Sequence, residues 1–433
     1  MKFEATQEFA ARLDEEDPLK DYRERFHIPE FNGQEVAYFC GNSLGLQPRS
    51  ARRFLEDEML VWEKMGVEGH FKSQDPWFSY HKLCKPMLAE LVGARESEVI
   101  AMNNLTSNLH LLLVSFYRPS GSRFKIIMEA GAFPSDQYCI ESQVRFHGHE
   151  PDEAIVELKP RPGESILRTE DIVAQISKYE SELALVMLSG VQYYSGQFFD
   201  IREITDAAHR SGVPAGFDLA HAVGNVPLKL HDWGVDFGVW CSYKYLNSGP
   251  GGVGGAFVHE NHAFKPELTR FAGWWGHDEE KRFLMEKGFS PMKGVDGWQL
   301  SNATVLTQAV HRASLMIFVE AGMENLRKKS LQLTGYLEFL LHDIPGHKEM
   351  LQIITPSDPE SRGCQLSLLV NRGGRTLFDR LTKGGVVVDW REPNVIRVAP
   401  VPLYNTYQDV YLFVQILADS LNKIDQAHEF KGF

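Results

Sequence analysis

The sequence predicts an α/β fold, with a large domain on a mostly parallel mixed sheet and a smaller α+β domain after it. From about Ile100 to His259, short β-branched or apolar runs such as Lys125 to Met128, Ala184 to Leu188 and Val213 to Phe217 alternate with amphipathic stretches. That alternation buries a parallel sheet between layers of helices. Beyond Leu300 two long helical patterns run to His342, followed by strand-like runs at 365–370, 386–389 and 395–398 and a helix from Tyr407, the succession of an α+β unit. Ahead of the sheet, residues 48–65 (PRSARRFLEDEMLVWEKM) repeat apolar positions at helical spacing behind a proline, and a second helical stretch follows Pro76. The expected organisation is therefore a helical segment at 1–75, a large domain at 76–305 and a small C-terminal α+β domain at 306–433.

Composition narrows the function classes. A chain of 433 residues with 43% hydrophobic and 24% charged residues has enough apolar material for more than one core. The net charge of -13 opposes a nucleic-acid or anionic-membrane partner, because such surfaces need a basic field. No apolar run reaches bilayer length. The acid-rich start, MKFEATQEFAARLDEEDPLK, lacks the basic, apolar layout of an export signal, and the five cysteines form no CxxC pair, so a cytoplasmic protein with reduced thiols is expected.

Several residues carry chemistry. Asp218, in Ala215-Gly-Phe-Asp-Leu-Ala-His221, stands at the carboxyl end of an apolar strand, where α/β proteins place ligands, although a helix cap would use the same residue type. Lys244 follows the apolar run ending at Trp240-Cys-Ser-Tyr, and a lysine held at a desolvated strand end becomes a nucleophilic amine. The two together fit pyridoxal 5'-phosphate: the amine forms a Schiff base with the aldehyde, and the acid keeps the pyridine nitrogen protonated so that the ring accepts electrons. Gly249 to Gly255 precedes a strand and opens no helix, which argues against a dinucleotide loop and for close backbone approach near Lys244. Asn103 to His110 leads into an apolar helix with Thr106 or Ser107 at its N-terminus, a natural phosphate seat. Phe133-Pro134-Ser135-Asp136 opens another helix, and its aromatic ring has the shape to lie on a flat cofactor. His259 and His262 are spaced HxxH, yet no third ligand accompanies them, so no metal is expected.

Gly41 to Gly45, Phe133 to Asp136, Phe217 to Asn225, His231 to Phe237, Cys241 to Asn247 and Ile396 to Tyr404 together resemble the kynureninase family, of the fold-type I, class V aminotransferase-like group. The likeness runs from about residue 20 to 425. It implies a fold-type I large domain, residues 1–75 completing the small domain and a dimer contact, and a homodimer with shared active sites. The implied activity is hydrolytic cleavage of kynurenine or 3-hydroxykynurenine to an anthranilate and alanine. Carried over by position, Lys244, Tyr243 and Asp218 are catalytic. Leu105 and Thr106 supply phosphate donors; Phe133, Pro134, Ser135, Asp136 and Ser189 position the ring; His221 supports it. Trp274 and Asn302 reach the cofactor or substrate from the partner subunit. Arg397 clamps the substrate carboxylate, for which a planar bidentate donor is suited, while His70, Ser43 and Asn302 meet its aromatic part.

Rival readings are a desulfurase or an aminotransferase on the same scaffold, and a non-catalytic protein that kept the fold. A desulfurase needs a reactive cysteine on a mobile loop, whereas Cys364 sits at the start of a strand-like run.

Overall fold

The computed structural model describes residues 2–429. The chain divides into two compact units, one comprising Ser50–Gln192 and Phe199–Glu320, the other Met1–Arg49, Tyr193–Phe198 and Ala321–Phe433.

The larger unit is built on seven strands in the spatial order Val99–Ala101, Gly254–Val258, Phe237–Cys241, Ala215–Asp218, Leu183–Ser189, Lys125–Glu129, Ile155–Leu158. Gly254–Val258 runs antiparallel to both neighbours, and the strands from Phe237–Cys241 onward pair in parallel. This is the mostly parallel mixed sheet expected. Apolar side chains on one face pack with the helices Leu105–Phe116 and Pro134–Phe146 in a core that includes Ile126, Met128, Leu185, Phe237 and Val239. Glycines set the sheet's tightest approaches. A Cβ on Gly216 would stand 2.1 Å from the Phe237 ring, so the bulky neighbour fills the space the glycine leaves.

In the smaller unit a four-stranded antiparallel sheet, ordered Leu351–Ile353, Leu366–Val370, Val395–Val398, Asp389–Arg391, packs with the long helices Met323–Asp343 and Tyr407–Glu429. The run at 386–389, expected as one strand, is two. Val386–Val387 pairs in parallel with Ala37–Tyr38, and Asp389–Arg391 joins the four-stranded sheet.

The expected boundaries shift at both ends of the large unit. Residues 50–75 belong to it because Trp77 Nε1 donates to Glu58 at 2.7 Å, and Arg312 is ion-paired with Asp75 at 2.5 Å. Residues 306–320 belong there as well, since Gln308 donates to the Ala101 carbonyl at 2.9 Å and His311 Nδ1 lies 2.6 Å from Ser248 Oγ. The segment Tyr193–Phe198, expected within the large domain, groups with the smaller unit: Ser367 and Thr355 hydroxyls each donate at 2.6 Å to the carbonyls of Tyr194 and Ser195.

A buried aspartate ties the large unit's helices to its sheet. Asp236 accepts from His209 Nε2 at 2.8 Å, His262 Nε2 at 2.6 Å and the Ala215 amide at 2.7 Å. The hydrogen bond to Asp236 raises the His209 pKa above its ordinary 6.5. A raised folded-state value means that the contribution is complete below the unfolded pKa and disappears as pH climbs through the folded one. His209→Gln is therefore expected to lower the thermal midpoint clearly at about pH 5.5 and much less at about pH 9, measured by differential scanning fluorimetry.

Candidate active site

Parallel strands bring their carboxyl ends to one edge, and three of them end on polar groups: Glu129, Ser189 and Asp218. Ser189 and Asp218 are directly paired in register. The Ser189 hydroxyl donates to Glu129 Oε1 at 2.5 Å and its amide lies 3.2 Å from Oε2. Asp218 is buried, and its Oδ1 accepts the Ala220 amide at 2.7 Å, which bends the chain into the turn carrying His221.

Asp136 lies in the first turn of the helix Pro134–Phe146, and it too is buried. Desolvation, then the charge of Asp218 and a hydrogen bond to it, push the Asp136 carboxyl well above the usual carboxylate range. Of the two buried carboxyls, Asp136 is the one whose protonated form this favours. Burial likewise raises Glu129.

The lysine stands beyond its strand rather than on it. The sequence suggested a strand ending on Ser-Tyr-Lys, but Phe237–Cys241 stops earlier and Lys244 sits in the following turn, half-buried. Its Nζ lies 3.0 Å from His221 Nε2 and 5.6 Å from the centre of the Phe133 ring. Phe133 is 37% exposed. Tyr243 is half-buried, and burial, followed by neighbouring Cys241, raises its phenol, which stays a proton donor at neutral pH.

The phosphate seat begins one residue earlier than expected. The helix is Leu105–Phe116, and its cap is Asn104, whose side chain accepts from the Ser107 amide at 3.0 Å, rather than Thr106 or Ser107. The N–H groups of Leu105 and Thr106 belong to the first turn, where intrahelical acceptors are lacking. Gly254 backs this turn: a Cβ there would stand 2.8 Å from the Asn104 carbonyl carbon and 3.0 Å from the Leu105 nitrogen.

These residues fit pyridoxal phosphate. Asp136 Oδ1 is buried without a hydrogen-bond partner among the described residues, which suits a polar ligand atom arriving there. An acid, an amine, a part-exposed aromatic ring and a helix N-terminus are the four contacts such a cofactor requires. Pro134 and Ser135 form the start of the helix that carries Asp136, and Ser189 is held through Glu129.

Other expected residues fall elsewhere. Trp274 is 46% exposed and its indole donates to the Arg282 carbonyl at 3.3 Å; Asn302 is exposed. Among the described residues neither hydrogen-bonds to the Lys244 group. His70 closes a short 3-10 turn, its Nδ1 lying 3.1 Å from the Val67 carbonyl and its ring edge-on to Trp77. Ser43 and Arg397 are in the smaller unit and touch each other: Arg397 Nη2 donates to Ser43 Oγ at 3.2 Å. Arg397 is completely buried, not solvated, with Nη1 donating at 2.9 Å to the Tyr193 carbonyl and Nη2 2.7 Å from Asp389.

The HxxH histidines serve separate partners. His262 binds Asp236, while His259 Nε2 lies 3.2 Å from the His231 carbonyl and its Nδ1 accepts the Asn261 amide. Glu98, His231 and His259 do cluster, yet Glu98 already takes the amides of Arg95 and Glu260 and His231 Nδ1 at 2.9 Å.

Sequence reading missed Glu129 and Asp389. Each was legible as an acid closing or opening a β-branched run, Lys125 to Glu129 and Val386 to Asp389, and neither has an obvious mate nearby in the chain.

Comparison with known proteins fits this geometry. A family model for aminotransferase class V matches residues 79–364, and one for the kynureninase C-terminal domain matches 326–417. Among solved structures, a cysteine desulfurase from Thermococcus onnurineus superposes with a TM-score of 0.73 at 16% identity, covering 90% of this chain and 95% of that one. The cysteine desulfurase CsdA of Escherichia coli gives 0.75 at 15%, covering 94% and 99%. At such identities only the fold is shared, and Cys364 here is buried. Fold and family model together define a pyridoxal-phosphate-dependent enzyme of the class V aminotransferase group.

Curated kynureninases are far closer in sequence. That of Flavobacterium psychrophilum is 54% identical over 418 residues, covering 96% of this chain and 98% of that protein. Those of Koribacter versatilis and Myxococcus xanthus are 53% and 54% identical, with 97% and 96% of this chain and 99% and 97% of theirs aligned. The chain belongs to the kynureninase family.

Gly254→Val places two methyl groups against the head of the phosphate-seat helix. It is expected to weaken pyridoxal phosphate binding at least ~10-fold, about 1.4 kcal/mol, in a fluorescence titration of apoprotein. Equal affinity in the two proteins would remove that helix from the cofactor site.

Proposed function

We propose that the chain hydrolyses the Cβ–Cγ bond of L-kynurenine or 3-hydroxy-L-kynurenine, giving L-alanine and anthranilate or 3-hydroxyanthranilate. The observation that carries the reading is an amine, Lys244, held 3.0 Å from His221 beside Asp218 and a part-exposed aromatic ring in a chain of this family. When bound, pyridoxal phosphate supplies an electron sink for a carbanion at the substrate's Cα.

The chain's own groups do the rest. Lys244 would hold the cofactor through its amine, and the same amine would move the proton at the substrate's Cα; His221 Nε2 lies 3.0 Å from it. Asp218 would pair with the ring nitrogen, and the raised Asp136 carboxyl lessens the negative charge beside it. Phe133 covers one face of the ring. Leu105 and Thr106 donate amides to the phosphate, with the Tyr243 hydroxyl beside them. Arg397 recognises the substrate carboxylate. His70, Ser43 and Asn302 meet the aromatic ring, where a hydrogen-bonding side chain favours a 3-hydroxyl. Water then adds to the γ-carbonyl, the Cβ–Cγ bond breaks, and the three-carbon fragment is protonated to alanine.

The proposed assembly is a homodimer in which Trp274 and Asn302 serve the other copy's cofactor site. The exposure of Trp274, Phe283, Leu284 and Met285 supports a covered surface there. No helix among the described residues is long and apolar enough to cross a membrane, and a cytoplasmic location is part of the proposal, as is a role in tryptophan breakdown or in NAD precursor supply.

Lys244→Ala is expected to abolish both anthranilate release from L-kynurenine, followed by fluorescence, and the visible absorbance of the bound cofactor. Persisting turnover would refute the assignment of the lysine. Light scattering on the holoenzyme should return twice the chain mass; a single chain mass with full activity would remove the shared-site dimer.

A further inference from the structure

Arg397 is an unexpected residue to greet a substrate, because none of it is exposed and most of its donors are taken. It lies on the strand Val395–Val398, directly opposite Asp389 on the edge strand Asp389–Arg391. Its Nε and Nη2 fork the Asp389 carboxylate at 3.3 and 2.7 Å, Nη1 donates to the Tyr193 carbonyl at 2.9 Å, and Nη2 reaches Ser43 Oγ at 3.2 Å. Ser43 in turn donates to the same carboxylate.

Arg391 stands two residues from Asp389, hence on the same face of the strand. Its Nη2 donates to Asp389 Oδ2 at 3.2 Å, and its Nε, a buried atom, is ion-paired with Oδ1 at 3.0 Å. Unlike Arg397, its side chain is 37% exposed. Burial, then repulsion from Arg397, lowers its guanidinium pKa, so a further anion would be welcome there. Two guanidiniums against one carboxylate leave the cluster one positive charge over, which one carboxylate of a ligand would neutralise.

We propose that Arg391 is a second recognition residue for the substrate's α-carboxylate and that Asp389 is a positioning residue that aligns both guanidiniums. The inference rests on Arg397 belonging to the carboxylate site, and deepens it. Asp389 occupies the broad fork of Arg397 and the Tyr193 carbonyl takes its Nη1, while Arg391, whose side chain is 37% exposed, supplies the surplus charge.

The test uses holoenzyme, with L-kynurenine as substrate and its decarboxylated amine as a competitive inhibitor lacking the α-carboxylate. Arg391→Met should raise KM at least ~10-fold with kcat within about threefold, while Ki for the decarboxylated amine stays within about twofold. Arg391→Lys should recover part of the lost affinity, since charge remains but the planar fork does not. Asp389→Asn should raise KM similarly, with the amine again unaffected. Unchanged KM in Arg391→Met while Arg397→Met loses binding would overturn the second arginine and leave the first intact. Unchanged KM in Arg397→Met would overturn the carboxylate reading itself. Equal losses for kynurenine and the amine would make Arg391 a structural residue only. Cofactor absorbance and the thermal midpoint, read alongside, report whether each variant is folded.

Discussion

Everything at the cofactor site depends on how few charges a buried sheet edge can hold. Glu129, Asp136 and Asp218 are all removed from water within one hydrogen-bonded neighbourhood, and an unpaired carboxylate in such a place costs several kcal/mol. Three ionised acids would be untenable. Burial and the charge of Asp218 push the Asp136 carboxyl well above the usual carboxylate range, which favours its neutral form and eases the conflict. Burial raises Glu129 as well, and it accepts the hydroxyl and the amide of Ser189, so it fixes the serine rather than a ligand. The polarity of the site therefore follows from desolvation first and from the identity of the ligand second.

The same constraint explains what could be read from the sequence. Asp218 and the helix beginning at Pro134 were legible because strand ends and proline-led helices have local signatures, and the glycine-rich stretch before Ala256 was correctly separated from a dinucleotide loop because a strand follows it. Lys244 was legible as a residue but misplaced by a turn, since Ser242 to Lys244 keep an extended pattern that sheet pairing does not continue. Asp389 was legible only as the acid closing the run Val386 to Asp389, not as a partner of Arg397. Its meaning comes from standing opposite Arg397 across a ladder, and cross-strand partners eight residues apart carry no periodic signal. The domain limits failed for a related reason: a helix such as Val305–Ala321 has the same pattern whichever core it joins, and only contacts such as Gln308 to the Ala101 carbonyl decide.

Burial separates the two arginines of the smaller unit more sharply than their chemistry does. Arg397 has the residue type and the motif expected of an anion clamp, yet its best hydrogen-bonding edge is spent on Asp389, and a guanidinium whose fork is filled is a poor first contact for an incoming carboxylate. Arg391 has no such motif, but its side chain retains solvent access. A sequence motif identifies which residues a fold keeps together, and coordination within the folded cluster decides which of them has capacity left.

Specificity for an amino acid rather than an amine then has a simple origin. Two guanidiniums against one carboxylate leave a surplus positive charge on the partly exposed Arg391, which a ligand carboxylate would neutralise. An amine without the carboxylate would gain none of that relief, however well its aromatic ring were seated. The discrimination would thus be set by the cation left over once Asp389 has taken its share, and Asp389 would improve selectivity by limiting that surplus to a single charge, enough for one carboxylate and too little to hold a phosphate or other dianion as well.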